Sequence, residues 1–362
     1  MSKRKKAGRE VQAKAGASAA PEPVRFFALL AFFSGSAALT YQVLWVRQLG
    51  IVVGVDVYAV TTCIGAFFAG LALGSFLFGR RADRDARPLL SYALLELGIG
   101  LSGALATIAL SRIAPLFVTL QQTVGPLAWM VGFLLVGFPS FLIGGTLPFL
   151  FRAWSPSQRI ASGGGMLYAV NTAGGILGAL LTPFVLIPLL GIRGAAFVAA
   201  LANIGVAFAA FVWQRNHAPT ETPAIADEKF PSLDPQARAA IFLYGIAGGI
   251  ALGYEVIWSQ AIVPFLSTRS FAFALVLATY LAGLMFGSAI YSRFADRLKN
   301  PWMTFALLIS GAGIIALGLV AGLGHWLLIL QTQAEAFVLS MTGSILAGMC
   351  ARFFVAAVSV VF

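Results

Sequence analysis

AGLALGSFLFGRRADR at residues 69–84 returns as AGLMFGSAIYSRFADR at 282–297, and ALTYQVLW at 38–45 returns as ALGYEVIW at 251–258. Both pairs are offset by the same 213 residues (84 to 297, and 45 to 258), with no gap in either block. Shared membrane composition does not by itself place two separated blocks in one register, so the chain carries an internal repeat. Working outward from these blocks, apolar runs near the ~20 residues that cross a ~30 Å hydrocarbon core as helix alternate with short charged stretches. The runs place spans near 26–45, 58–78, 89–110, 127–149, 165–190 and 194–213, and then near 239–258, 271–291, 302–323 and 343–362. Six spans per unit is an even number, so the two copies run parallel.

Composition agrees with spans. Hydrophobic residues make up 59% and charged residues 10%, with a mean hydropathy of +0.90, whereas soluble domains carry about 25% charged residues. A transmembrane barrel needs ~10-residue segments of alternating polarity; segments such as 189–213 are apolar on every face instead. The expected fold class is therefore all-α, a polytopic transmembrane helix bundle of about ten spans.

The net charge of +11 does not point to a nucleic-acid partner, because the basic residues lie in a tail and in loops rather than on one folded face. Their distribution sets topology. With the N-terminus inside, 19 of the 24 Lys and Arg fall in the tail and the inner loops, as retained basic loops require. The chain then divides into a disordered basic cytoplasmic tail (1–24), a first six-helix repeat (25–213), a Pro-rich cytoplasmic linker (214–238) and a second repeat (239–362). No short apolar segment with a cleavage site follows Lys3 to Lys6, so no cleaved signal peptide is expected. A first unit ending at 238 predicts a second reaching 451 (238 plus 213), and the chain ends at Phe362. The expectation is a truncated chain whose second repeat stops after about four helices.

Candidate functional residues are few. Tyr41, Gln42, Trp45 and Arg47 at the outer end of the first span match Tyr254, Glu255, Trp258 and Gln260 on the seventh. The two Trp residues read as interfacial anchors. Glu255 is costly at the edge of hydrocarbon and is expected to face a watery cavity or a partner, with Arg47 as one candidate; snorkelling of both side chains to water is the alternative. Glu96 is an acid about two turns into the third span, a candidate for cation contact or for a helix-packing hydrogen bond. The pairs Gly70 with Gly74, Gly174 with Gly178 and Gly283 with Gly287 have the spacing of close helix contacts. Gly98, Gly100 and Gly103 spell G-x-G-x-x-G inside a span, where no strand precedes them, so no dinucleotide site is read there. Cys63 and Cys350 lie in apolar runs and read as structural thiols. No catalytic, metal or cofactor motif is present.

Parallel six-helix halves are the plan of major facilitator transporters, and the blocks at Gly74–Arg84 and Gly287–Arg297 resemble the loop motif of that superfamily after its second helix. That resemblance implies a cytoplasmic latch in which Asp83 with Arg84, and Asp296 with Arg297, hold one state of an alternating-access cycle; topology-setting loop charges are the plainer alternative. More specifically, SGSAALTYQVLWVRQL (34–49), AFFAGLALGS (66–75), YALLELGIG (92–100) and YAVNTAGGILGALLTPFVLIPLLG (168–191) resemble the membrane half of fused spermidine-synthase-like proteins. This resemblance implies a bacterial inner-membrane location, a role in polyamine biosynthesis or handling, and a soluble aminopropyltransferase domain beyond this chain. It carries over no catalytic residue. It makes Tyr41, Gln42, Arg47, Glu96, Tyr254 and Glu255 the candidate cavity and gate. The alternative is a free-standing secondary transporter of a small, cationic solute, and an inert anchor is a third reading.

Overall fold

In the computed structural model, residues 22–54, 56–154, 160–217, 234–266, 269–292 and 300–361 are described. Every regular element among them is helical: α1 (Glu22–Val53), α2 (Asp56–Ala82), α3 (Pro88–Leu110), α4 (Ala114–Val124), α5 (Trp129–Trp154), α6 (Ile160–Leu181), α7 (Ile187–Asn216), α8 (Pro235–Ala261), α9 (Arg269–Ser292), α10 (Pro301–Thr342) and α11 (Ile345–Val361). Proline stands at the start of α3, α4, α8 and α10, where its missing N–H costs nothing and its fixed φ suits the first turn. Asn300 adds a side-chain cap to α10 by accepting from the Met303 amide at 3.1 Å. Gly343, at φ 65°, ends that helix in the left-handed conformation.

Eight of these runs are long and apolar enough to cross a membrane, and the protein is a multi-pass helical bundle. The ten expected spans reduce to eight because two pairs of boundaries behave differently. Residues 165–216 form one 52-residue run, roughly 78 Å if straight at 1.5 Å per residue. That is more than twice a hydrocarbon core, and Gly191, at φ 68° and ψ 179°, is where it breaks. The last span, expected at 343–362, is instead a helix of 17 residues. Two further differences concern ends. α1 continues to Val53, two turns past the expected end at Trp45, and α4 was not foreseen because its 11 residues are too few to cross the hydrocarbon core.

α1 is the axis of the first bundle and packs on α2, α3, α5, α6 and α7. Small residues make this possible: a Cβ on Gly174 or Gly178 of α6 would overlap the backbone of Phe32 or Ser36 of α1, and one on Gly74 of α2 would overlap the Phe141 carbonyl of α5. Two of the three glycine pairs therefore serve close packing. In the third pair, a Cβ on Gly287 meets nothing within 4 Å. α8–α11 form a looser group. α9 joins it to the first bundle through α6, with Phe184 stacked on Phe271 at 4.5 Å and both rings against Phe353 of α11.

One helix start keeps the offset found in the sequence: α3 and α10 begin at Pro88 and Pro301, 213 residues apart.

Candidate functional site

Three of the four α1 candidates, Tyr41, Gln42 and Trp45, turn inward. Tyr41 is fully buried, with its ring against Gly103 of α3 and its hydroxyl donating to the Gly100 carbonyl at 3.3 Å. Trp45 stacks on Tyr41 at 5.3 Å and donates from Nε1 to Thr107 Oγ1 at 3.0 Å. Trp45 is thus a core residue and not the interfacial anchor its position suggested, because α1 extends beyond it. The glycines of the discarded dinucleotide pattern have a packing role here: Gly103 admits the Tyr41 ring, and Gly100 lies against Ala200 and Asn203 of α7. Gln42 is also fully buried, and neither of its amide atoms has a hydrogen-bond partner among the described residues.

Glu96 sits at the junction of α1, α3 and α7. Ser34 Oγ donates to its Oε1 and Asn203 Nδ2 to its Oε2, the latter at 2.7 Å. Tyr92 of the same helix donates to the Leu30 carbonyl at 3.3 Å, closing the α1–α3 seam on that side. Both carboxylate oxygens are occupied and the residue has no exposed surface. This arrangement is a polar clamp between three helices. Asn203 carried no signal in the sequence, because it lies 107 residues from Glu96.

Glu255 is held quite differently. It is 2% exposed, and both of its carboxylate oxygens lack a hydrogen-bond partner among the described residues. It lines a cleft of about 810 Å³ between α8, α9 and α10, together with Tyr254, Trp258, Tyr280, Tyr291, Thr279 and Ser288. Gly283 and Gly287 also line it, so this third glycine pair opens space rather than closing it. A desolvated carboxylate with no donor is expensive in a low-dielectric setting and calls for a cation or a donor from outside. The tyrosine and tryptophan faces around it are the surfaces that attract organic cations. Cys63 of α2 lies within electrostatic reach of Glu255, which places the carboxylate where the two groups of helices meet.

A second cavity, of about 280 Å³, lies one turn further along α8. Eight of its ten lining residues form pairs that keep the same offset: Val46 and Ser259, Arg47 and Gln260, Gly50 and Val263, Val60 and Phe273, each 213 residues apart. Arg47 is exposed there and makes no ion pair with Glu255 among the described residues.

At the loop after α2, Asp83 and Arg84 are exposed, and Arg84 shares a shallow site with Arg80, Arg81 and Asp85. Asp296 and Arg297 lie outside the described residues. The acid with a clear task in this loop is Asp85, which the sequence did not single out. Its Oδ1 accepts from the Arg87 amide at 2.8 Å and its Oδ2 from Ser91 Oγ at 2.5 Å, fixing the start of α3. No group of three or more His, Cys, Asp or Glu gathers as a metal site among the described residues.

No protein-family model matches this chain, and no curated protein matches it.

Proposed function

We propose that the chain is the membrane domain of a spermidine-synthase-like protein and handles a polyamine or related amine at Glu255. The observation that carries this reading is the buried carboxylate of a cleft-lining residue, neither of whose oxygens has a donor among the described residues. An ammonium group supplies both the missing charge and the missing hydrogen bonds, and the surrounding Tyr and Trp faces favour an organic cation over a hydrated metal ion. Glu96, whose oxygens are already engaged, contributes to the fold rather than to the ligand. In this reading the bundle lies in a bacterial inner membrane with its N-terminus in the cytoplasm, and its architecture is that of two parallel repeats of the major-facilitator kind. The offset shared by the α3 and α10 starts and by the paired cavity-lining residues supports the repeat, and the retained basic loops support the orientation.

Free-standing secondary transport of a small cation is a second reading. It is favoured by the paired lining of the smaller cavity, since residues from two related halves meeting around one space is how such proteins expose a site alternately.

Equilibrium binding of labelled spermidine to the full chain in nanodiscs tests the first reading, with saturable binding expected and its absence counting against it. Accumulation of spermidine in reconstituted vesicles under a pH or sodium gradient separates the second. Binding without accumulation restricts the domain to holding or delivering the amine.

A further inference from the structure

The two cavities differ in charge. Among the described residues, the cleft is lined by one acid, Glu255, and by no base, and the smaller cavity by one base, Arg47, and by no acid. They are neighbours along both helices that line them. Glu255 and Ser259 are one turn apart on α8, and on α9 the smaller cavity ends at Phe273 while the cleft begins at Val276. Glu255, Trp258 and Ser259 are buried on the turn that separates the two spaces, while Ile257 of the same turn is exposed. From there the cleft runs along α9 to Tyr291 and reaches Thr304 near the start of α10, the end of the bundle that also carries the loop after α2.

Four pairs of the smaller cavity's lining residues keep one offset, so both copies of the sequence repeat contribute to it. At such a place a symmetric protein would present two equivalent groups, and here the pair is broken as Arg47 and Gln260. The breakage leaves Arg47, an exposed side chain, as the one charge among the described residues lining this mostly apolar space.

We infer that these cavities are the two ends of one pathway divided by the Glu255–Ser259 turn, and that Arg47 makes the smaller end a barrier to cations while admitting anions. Resting on the amine reading of Glu255, this assigns Arg47 as a specificity-determining residue. The amine reaches Glu255 through the cleft, from the end bearing Tyr291 and Thr304, and the opposite mouth rejects it by charge. Val46, Gly50, Val60 and Phe273 shape that mouth without altering its sign.

Charged thiol reagents test the inference without any amine ligand. In the full chain with Cys63→Ser and Cys350→Ser, a Gln260→Cys reporter is exposed to the anionic sulfonatoethyl and the cationic trimethylammonioethyl methanethiosulfonates. The expected result is a rate ratio favouring the anion by about tenfold over the ratio for a free small thiol, lost when Arg47→Gln is added. A Ser288→Cys reporter in the cleft is expected to show the opposite preference. Val263→Cys serves as a second reporter of the small cavity should Gln260→Cys fail to fold. An unchanged ratio on Arg47→Gln, a preference for the cation, or no reaction at either reporter overturns the inference. Charge selection seen without spermidine binding retains the barrier and rejects the amine reading alone.

Discussion

Asn203 Nδ2 donates to Glu96 Oε2 across 2.7 Å, tying α7 to α3 while Ser34 ties α1 to the other oxygen of the same carboxylate. Glu255, the other buried acid, has no such donor among the described residues. Two carboxylates inside one apolar chain thus have opposite standing: one is complete within the fold, and the other is complete only with something added.

Glu96→Gln keeps one oxygen and replaces the other by a donor, so Ser34 or Asn203 loses its acceptor. The variant is expected to lose about 1 kcal/mol of stability, in line with interhelical hydrogen bonds in membranes. Thermal unfolding in nanodiscs reads this, and spermidine affinity is expected to stay within about twofold of the parent.

Gly74 and Gly287 are equivalent in sequence and not in structure. A Cβ at Gly74 overlaps the Phe141 carbonyl, whereas one at Gly287 meets open space. Gly74→Ala is expected to destabilise by about 1–3 kcal/mol, the usual cost of overpacking. Gly287→Ala is expected to leave thermal stability unchanged and to weaken amine binding by narrowing the cleft.

Trp45→Phe removes the Nε1–H that reaches Thr107 but keeps a ring to stack on Tyr41. A loss of about 1 kcal/mol is expected, with tryptophan fluorescence losing a component shielded from aqueous quenchers. A variant as accessible to iodide as the parent would contradict the burial of Trp45.

The sequence disclosed the helical class and the repeat because both rest on patterns along the chain: apolar runs of membrane length, and two blocks in one register. Glu255 was legible because an acid beside Tyr254 and Trp258 in an apolar run has few bland explanations. The inward turn of Trp45 was not legible, because it depends on where α1 ends, and Arg47 and Gln48 just after Trp45 interrupt the apolar run although the helix continues to Val53. Tyr41 and Glu96 carried a chemical signal that fits more than one task, a helix-packing hydrogen bond being one of the two read for Glu96. Whether a buried polar side chain is satisfied depends on partners such as Gly100 and Asn203, brought close only by helix packing. The paired lining of the small cavity was implicit in the offset, but it needed the meeting of α1, α2, α8 and α9 to become a place.

The central claim is that Glu255 awaits a cation. Isothermal titration of spermidine into the full chain in nanodiscs, with Glu255→Gln and Glu96→Gln measured alongside, addresses it directly. The account predicts that Glu255→Gln weakens binding by at least about tenfold, equivalent to ~1.4 kcal/mol, while Glu96→Gln does not. Equal affinity in the parent and Glu255→Gln, or a larger loss in Glu96→Gln, would contradict it.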